Sequence, residues 1–195
     1  MLVSCRQMQE AEADAFARGI SASDLMEKVG QKMAAHLIQR FPTPGTAVLY
    51  LGKGNNAGDA LVVGIELQKH GWQIMARFAG DPSQLKPLPA QHFATLRDRM
   101  TSLRAMPDLR TASRPLLLID GLLGIGAMGP LRSAYSELTA EMNHLRKTEQ
   151  ASVIALDIPS GLDADDGTSA PDAVEADLTL TVAHAKAGLV TDAAS

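Results

Sequence analysis

The alternation of apolar and polar positions divides the chain into two regimes. Over residues 5–40 the spacing is helical: Met8, Ala11, Ala15 and Phe16 share one face, with Gln7, Glu10, Glu12 and Asp14 elsewhere on the cylinder. Gly19 stops that helix. Ser21-Ala22-Ser23-Asp24 starts the next as a capping-box-like signal, and Leu25, Val29, Met33 and Leu37 then recur every four residues. The breaker cluster Phe41-Pro42-Thr43-Pro44-Gly45 closes it. This opening predicts an N-terminal helical pair with no visible chemistry.

From Thr46 the pattern changes to short apolar runs separated by helical stripes. Residues 47–51 read as a buried strand that runs into Gly52-Lys53-Gly54-Asn55-Asn56-Ala57-Gly58-Asp59. Leu61, Val62, Ile65 and Leu67 carry a helix to the stop at Gly71, and residues 72–78 form a second strand. Residues 83–100 are a weaker helix interrupted by Pro87 and Pro89, and residues 103–106 a short edge strand. A third clear strand, 116–119, ends at Asp120 and a glycine-rich loop. Leu131, Tyr135, Leu138, Met142 and Leu145 then form a strong helical stripe. Residues 153–156 are a strand ending in Asp157-Ile158-Pro159-Ser160-Gly161, and a last strand lies near 178–182. Strands alternating with helices imply right-handed crossovers and a parallel sheet covered on both faces. The expected fold is α/β: a three-layer, Rossmann-like domain with a mostly parallel sheet and the N-terminal helical pair, as one domain over residues 1–195.

Composition narrows the function. A chain of 195 residues that is 46% hydrophobic supports one core. A net charge of −4 and 4% aromatic residues disfavour nucleic acid, which needs basic surface or stacking platforms. The single cysteine, Cys5, allows no intrachain disulfide, so a reducing, cytoplasmic setting is the default. Leu2-Val3-Ser4-Cys5 spells a lipobox-like tetrapeptide, but only four residues precede the cysteine, too few for a signal. No apolar run approaches the roughly 18 residues of a membrane span, so no membrane partner is expected.

Three loops follow the carboxyl ends of predicted strands, the edge at which such sheets bind ligands. The first, Gly52 to Ala57, satisfies G-x-G-x-x-A but lacks the acidic residue expected about 20 positions on. Its glycines let backbone N–H groups approach an anion, and Asn55, Asn56 and Asp59 add polar groups. The alternative is a tight turn with left-handed asparagines and Asp59 as a cap. The second loop puts Asp120 before four glycines, which suits a ligand-covering segment or a plain flexible connection. In the third, Ser160 is no nucleophile elbow, because Ile158 stands where Gly is needed. The alternative there is a proline-rigidified turn. His36, His70, His92, His144 and His184 are scattered without ligand spacing, which argues against zinc. Asp163-Ala164-Asp165-Asp166-Gly167 hints at a calcium loop, but Val174 occupies the position of the bidentate Glu. A hard cation held by Asn56, Asp120 and Ser160 stays open.

Taken together, the three loops resemble the NAD(P)H-hydrate epimerase family, the YjeF N-terminal domain. Its G-x-G-N-N-G-G-D-G loop is matched by Gly52-Lys53-Gly54-Asn55-Asn56-Ala57-Gly58-Asp59-Ala60. Its Asp with a following Leu-Gly-x-Gly loop is matched from Asp120 to Gly126, and its D-x-P-S-G-L motif from Asp157 to Leu162. Leu25-Met26-Glu27 with Gly30 is similar to its L-M-E-x-x-G helix. The resemblance implies interconversion of the R and S epimers, at C6, of hydrated NADH and NADPH. An ATP- or ADP-dependent dehydratase, fused or separate, would then restore the S form. It also implies that Asn55, Asn56, Ala57, Gly58, Asp59, Gly124, Ile125, Gly126, Ala127, Met128, Gly129, Pro130 and Asp157 hold the substrate. Asn56, Asp120 and Ser160 would bind a potassium ion, and an oxygen-only set suits an alkali cation better than zinc. Asp157 is the acid–base candidate, with Asp59 and Lys186 behind it.

The chain departs from the family at Ala57 and Ala60, where glycine is usual. A β-carbon at residue 57 obstructs a ligand only if that residue takes positive φ, and Ala57→Gly is then expected to leave binding intact or improve it. The chain stops at Ser195, soon after Lys186-Ala187-Gly188-Leu189, whereas members continue into a further strand. It therefore reads as truncated or as the front part of a longer bifunctional protein. Residual apolar surface on the N-terminal helices suits a homodimer. Two rival readings remain: a non-catalytic nucleotide-binding or scaffolding module of the same fold, and an NAD-dependent oxidoreductase, which the missing ribose-binding acid disfavours.

Overall fold

The computed structural model describes residues 2–126 and 130–191. In chain order these hold β1 (Leu2–Val3), α1 (Cys5–Ala17), α2 (Ala22–Arg40), β2 (Thr46–Leu51), α3 (Asn55–Lys69), β3 (Gln73–Phe78) and α4 (Pro87–Leu96). There follow β4 (Thr101–Leu103), β5 (Leu116–Gly121), α5 (Ser133–Thr148), β6 (Ser152–Leu156), β7 (Leu178–Leu180) and β8 (Ala185–Lys186). Six strands form one parallel sheet in the order β4-β3-β2-β5-β6-β7. The chain moves outward from β2 through β3 and β4, then returns to build β5, β6 and β7 on the other side. This is the Rossmann order, and its switch point lies between β2 and β5. Register pairs Leu51 with Gly121 and Asp120 with Ala155, so the ends of β2, β5 and β6 stand side by side.

Both faces of the sheet are covered, which is why β2 and β5 read as continuous apolar runs rather than alternating ones. On one face Ala47, Leu49, Leu51 and Ile119 meet Leu37 of α2 and Leu61 and Leu67 of α3. On the other, Val48, Tyr50, Leu118 and Val153 meet Leu138, Met142 and Leu145 of α5. Each fully buried leucine contributes on the order of 1.5–3 kcal/mol. A polar cluster interrupts the second layer. Glu141 of α5 accepts from Arg77 Nε at 2.9 Å, from Arg77 Nη2 at 2.8 Å and from the Tyr50 hydroxyl at 2.9 Å. The Arg77 and Glu141 side chains are only 13% and 8% exposed.

Local signals explain the helix ends. Ser4 and Gln7 form a reciprocal capping box at α1, and Ser21 Oγ accepts from Asp24 N at 3.0 Å at α2. Gly19, at φ +87°, makes the turn between the two helices. Pro87 occupies the first turn of α4, where a missing N–H costs nothing, so the prolines start this helix rather than interrupt it. The expected edge strand at 103–106 is displaced to Thr101–Leu103. Asp120 lies inside β5 rather than after it. The two-stranded parallel pair β1–β8, with Val3 opposite Lys186, was not anticipated. Two residues are too short for any periodicity to show. Among the described residues no helix is long and apolar enough to cross a membrane.

Residues 55–59 form the first turn and a half of α3, not a loop. Gly54 is the N-cap, so Asp59 is not, and neither asparagine is left-handed. Ala57 has negative φ and its methyl is fully buried in the core. Ala57→Gly therefore removes packed methyl and helix propensity rather than opening a ligand path. It is expected to lower stability by about 1 kcal/mol or somewhat more. A thermal melt checks this, and an unchanged or raised midpoint would refute it.

Candidate active site at the carboxyl edge of the sheet

A cleft of about 760 Å³ opens at the switch point, lined by the ends of β2, β5 and β6, the start of α3, and α1 and α2. Of the residues the motifs single out, Asn55, Asn56, Asp59, Gly124, Ile125, Gly126, Pro130 and Asp157 line it. Ala57 and Gly58 do not: both are buried beneath it. Ala127, Met128 and Gly129 lie outside the described residues. The loops converge closely, since a β-carbon at Gly124 would stand 3.5 Å from both Asn56 Cβ and Asp157 Oδ2. Gly52 is required for a similar reason, because a β-carbon there would collide with the Leu122 carbonyl.

Beneath the cleft floor Asn56, Asp120 and Ser160 come together. Asp120 is completely buried; its Oδ2 accepts from Ser160 N and its Oδ1 from Ser160 Oγ, both at 2.7 Å. Leu122 N also donates to Oδ1, at 3.1 Å, while Leu123 N donates to Ser160 Oγ at 3.0 Å. Burial pushes the Asp120 carboxyl up to about 6, with the Ser160 and Leu122 hydrogen bonds opposing. No cationic side chain pairs with it among the described residues. Asn56 Nδ2 donates to Leu123 O at 2.7 Å, which turns Oδ1 the other way, buried and without a partner. A buried carboxylate without a counter-ion and an orphaned amide oxygen are what a bound cation satisfies. The donor set fits a potassium ion.

A second cluster lies in the cleft wall. Asp157 follows β6 with φ +69°, a left-handed position that points its carboxylate back into the cleft, and its N–H donates to Leu180 O at 2.8 Å. Lys186 of β8 is fully buried and forms an ion pair with Asp157 Oδ1. Its remaining donors go to Thr181 Oγ1 and Val182 O, each at 3.1 Å. Lys186 is thus what holds Asp157. Asp59 lines the same cleft, and burial pushes its carboxyl up to about 8, with the negative charges of Asp157 and Glu12 adding to the effect. Glu12 reaches the cleft from α1, and sequence reasoning passed over it. It sits among the polar positions of an amphipathic helix, and only the docking of α1 shows that this face meets a cavity. At the mouth Lys53, Lys86 and Arg132 make no ion pair among the described residues.

The sequence profile described as YjeF-related protein N-terminus matches residues 22–188. The bifunctional NAD(P)H-hydrate repair enzyme Nnr of Coxiella burnetii is 34% identical over 100% of this chain, which spans only 39% of that protein. The NAD(P)H-hydrate epimerase of Cenarchaeum symbiosum is 29% identical over 97% of this chain and 88% of its own length. That of Limosilactobacillus fermentum is 30% identical over 89% of this chain and 81% of its own. A crystal structure of yeast ynu0 (YNL200c) has the same fold, with a TM-score of 0.86 over 96% of this chain and 82% of that one, at 19% identity.

Proposed function

The chain belongs to the family of YjeF-related protein N-termini, and on that premise we propose that it interconverts the R and S epimers of hydrated NADH and NADPH. The observation that carries this is the cleft itself, where an ion-paired carboxylate, Asp157, shares one cavity with a second carboxyl, Asp59, held largely protonated at neutral pH. Epimerisation at a carbon beside a ring nitrogen needs such a pair. The Asp59 carboxyl protonates the C6 hydroxyl, and the C–O bond breaks with loss of water as the nitrogen lone pair forms a C=N bond. Water then adds to the other face of the flat ring, its oxygen bonding C6 as the Asp157 carboxylate takes its proton. No oxidant or reductant is consumed. Lys186 holds the Asp157 carboxylate in place, while the open N-terminus of α3 and Lys53, Lys86 and Arg132 suit the phosphates. A dehydratase, fused or separate, would consume the S product.

The test is incubation with R-enriched hydrated NADH, followed by chromatography of the epimers. Conversion is expected at neutral pH and should fall as pH rises through about 8, where Asp59 loses its proton. The same shift bears on stability. The folded-state value lies above the ordinary 3.8, so the Asp59 contribution is full below about pH 4 and is lost as pH rises through 8. A rate flat from pH 6 to 10 would remove Asp59 from the role of donor.

Potassium held by Asn56, Asp120 and Ser160 would supply a fixed positive charge that ties the three strand ends together. Conversion is expected to rise with potassium and not with zinc or magnesium. Asp120→Ala should weaken both that response and substrate binding. Indifference to potassium after thorough dialysis would exclude the ion.

A further inference from the structure

The proton balance of the proposed reaction leaves a reset step between turnovers. Each conversion moves a proton from the Asp59 carboxyl to the Asp157 carboxylate. A second conversion in the same direction therefore needs that proton taken from Asp157 and another returned to Asp59. Lys186 cannot do this, because its three donor positions are committed to Asp157, Thr181 and the Val182 carbonyl, and it is sealed from solvent. A proton on Asp157 also leaves the buried Lys186 ammonium without its counter-charge, a costly state that drives the proton onward.

Glu12 lines the same cleft as both carboxyls. The strand pairing that sets Val3 beside Lys186 also launches α1, and one face of α1 carries Glu12 into the cleft shared by Asp59, Asp157 and Lys186. Glu12 is half-exposed, so it touches both the cleft and solvent. Its carboxyl is pushed upward by burial and by the charge of Asp157, with Lys186 opposing, and Asp59 in turn responds to Glu12. Glu12 is thus electrostatically coupled to both carboxyls of the reaction. The other charged groups lining the same cleft are Lys53, Lys86 and Arg132. No hydrogen bond or ion pair ties the Glu12 side chain down among the described residues. The family profile begins at residue 22, beyond α1, so the family match assigns Glu12 no part.

We propose that Glu12 is the proton shuttle of this site, resetting Asp59 and Asp157 between turnovers by exchange with solvent. This rests on the epimerase reading above. In the reset only O–H bonds change: Asp157 gives its proton to the Glu12 carboxylate, Glu12 gives it to water, and Asp59 regains a proton by the reverse path.

The experiment is rapid-mix conversion of pure R-hydrate by wild type, Glu12→Gln, Glu12→Asp and the exposed control Glu10→Gln. Wild type and Glu10→Gln should convert linearly, with no response to added formate or imidazole. Glu12→Gln should show a burst of one product per site, then a steady rate lowered roughly 10- to 100-fold, less than the roughly 10²- to 10⁴-fold of a group acting in the chemical step itself. Formate or imidazole should restore that slow rate, and Glu12→Asp should be intermediate. A merely structural role would give neither burst nor buffer rescue. Linear conversion by Glu12→Gln at the wild-type rate overturns the shuttle, as does loss of the first turnover without rescue. Wild type that converts nothing overturns the epimerase reading itself and the shuttle with it.

Discussion

Asp157→Asn should lower epimer conversion by roughly 10²- to 10⁴-fold, the range for losing a positioned acid–base group. The amide keeps the shape and suits the backbone, since asparagine tolerates the φ of +69° at this position at least as well as aspartate. It cannot take the proton. The structure nevertheless attaches a cost in stability. The fully buried Lys186 ammonium would lose its charged partner, and breaking such a pair costs up to about 3–5 kcal/mol. Conversion must therefore be measured well below the melting transition, with a circular dichroism spectrum matching wild type. The double variant Asp157→Asn, Lys186→Met removes the stranded charge and should recover stability while conversion stays lost. Conversion by Asp157→Asn within a few-fold of wild type would take Asp157 out of the mechanism.

The second large effect is on stability alone. Glu141→Ala would leave Arg77, only 13% exposed, without a counter-charge and the Tyr50 hydroxyl without its acceptor. The expected loss is about 3–5 kcal/mol, read as a lower denaturant midpoint. Burial, the largest cause holding the Tyr50 hydroxyl far upward, remains in the variant, so it cannot compensate by ionising. Conversion per folded molecule should be retained, because the cluster lies under α5 and away from the cleft. Replacing the pair with apolar residues, Arg77→Met with Glu141→Leu, should recover most of the loss. A midpoint unchanged by Glu141→Ala would show that solvent already serves these groups.

The two variants separate what the chain uses for chemistry from what it uses for holding together. Both depend on buried ion pairs joining elements far apart in sequence, Asp157 with Lys186 and Arg77 with Glu141. Neither pair has a local signature. The sequence marked Asp157 because it ends a strand, and placed Lys186 behind it. Lys186 becomes decisive only when β8 pairs with β1 and turns its side chain inward. Glu12 has the same history, as one of several acidic residues on the polar side of a short helix.

By itself the sequence determined the alternation of strands and helices, the parallel sheet and the three loops at its carboxyl edge. Apolar periodicity and turn residues are short-range properties, and the burial of β2 and β5 on both faces left continuous runs that could be read directly. The three motifs likewise sit each on one short segment. Tertiary structure decided that residues 55–59 are a helix turn and that Ala57 faces the core, because α3 packs against the sheet through that face. It also decided which carboxyls share a cleft, that Asn56 Oδ1 is left without a partner beside Asp120, and that a buried lysine holds Asp157. These facts depend on which side chains lose their water together. That is settled only when segments more than a hundred residues apart, such as β1 and β8, come into contact.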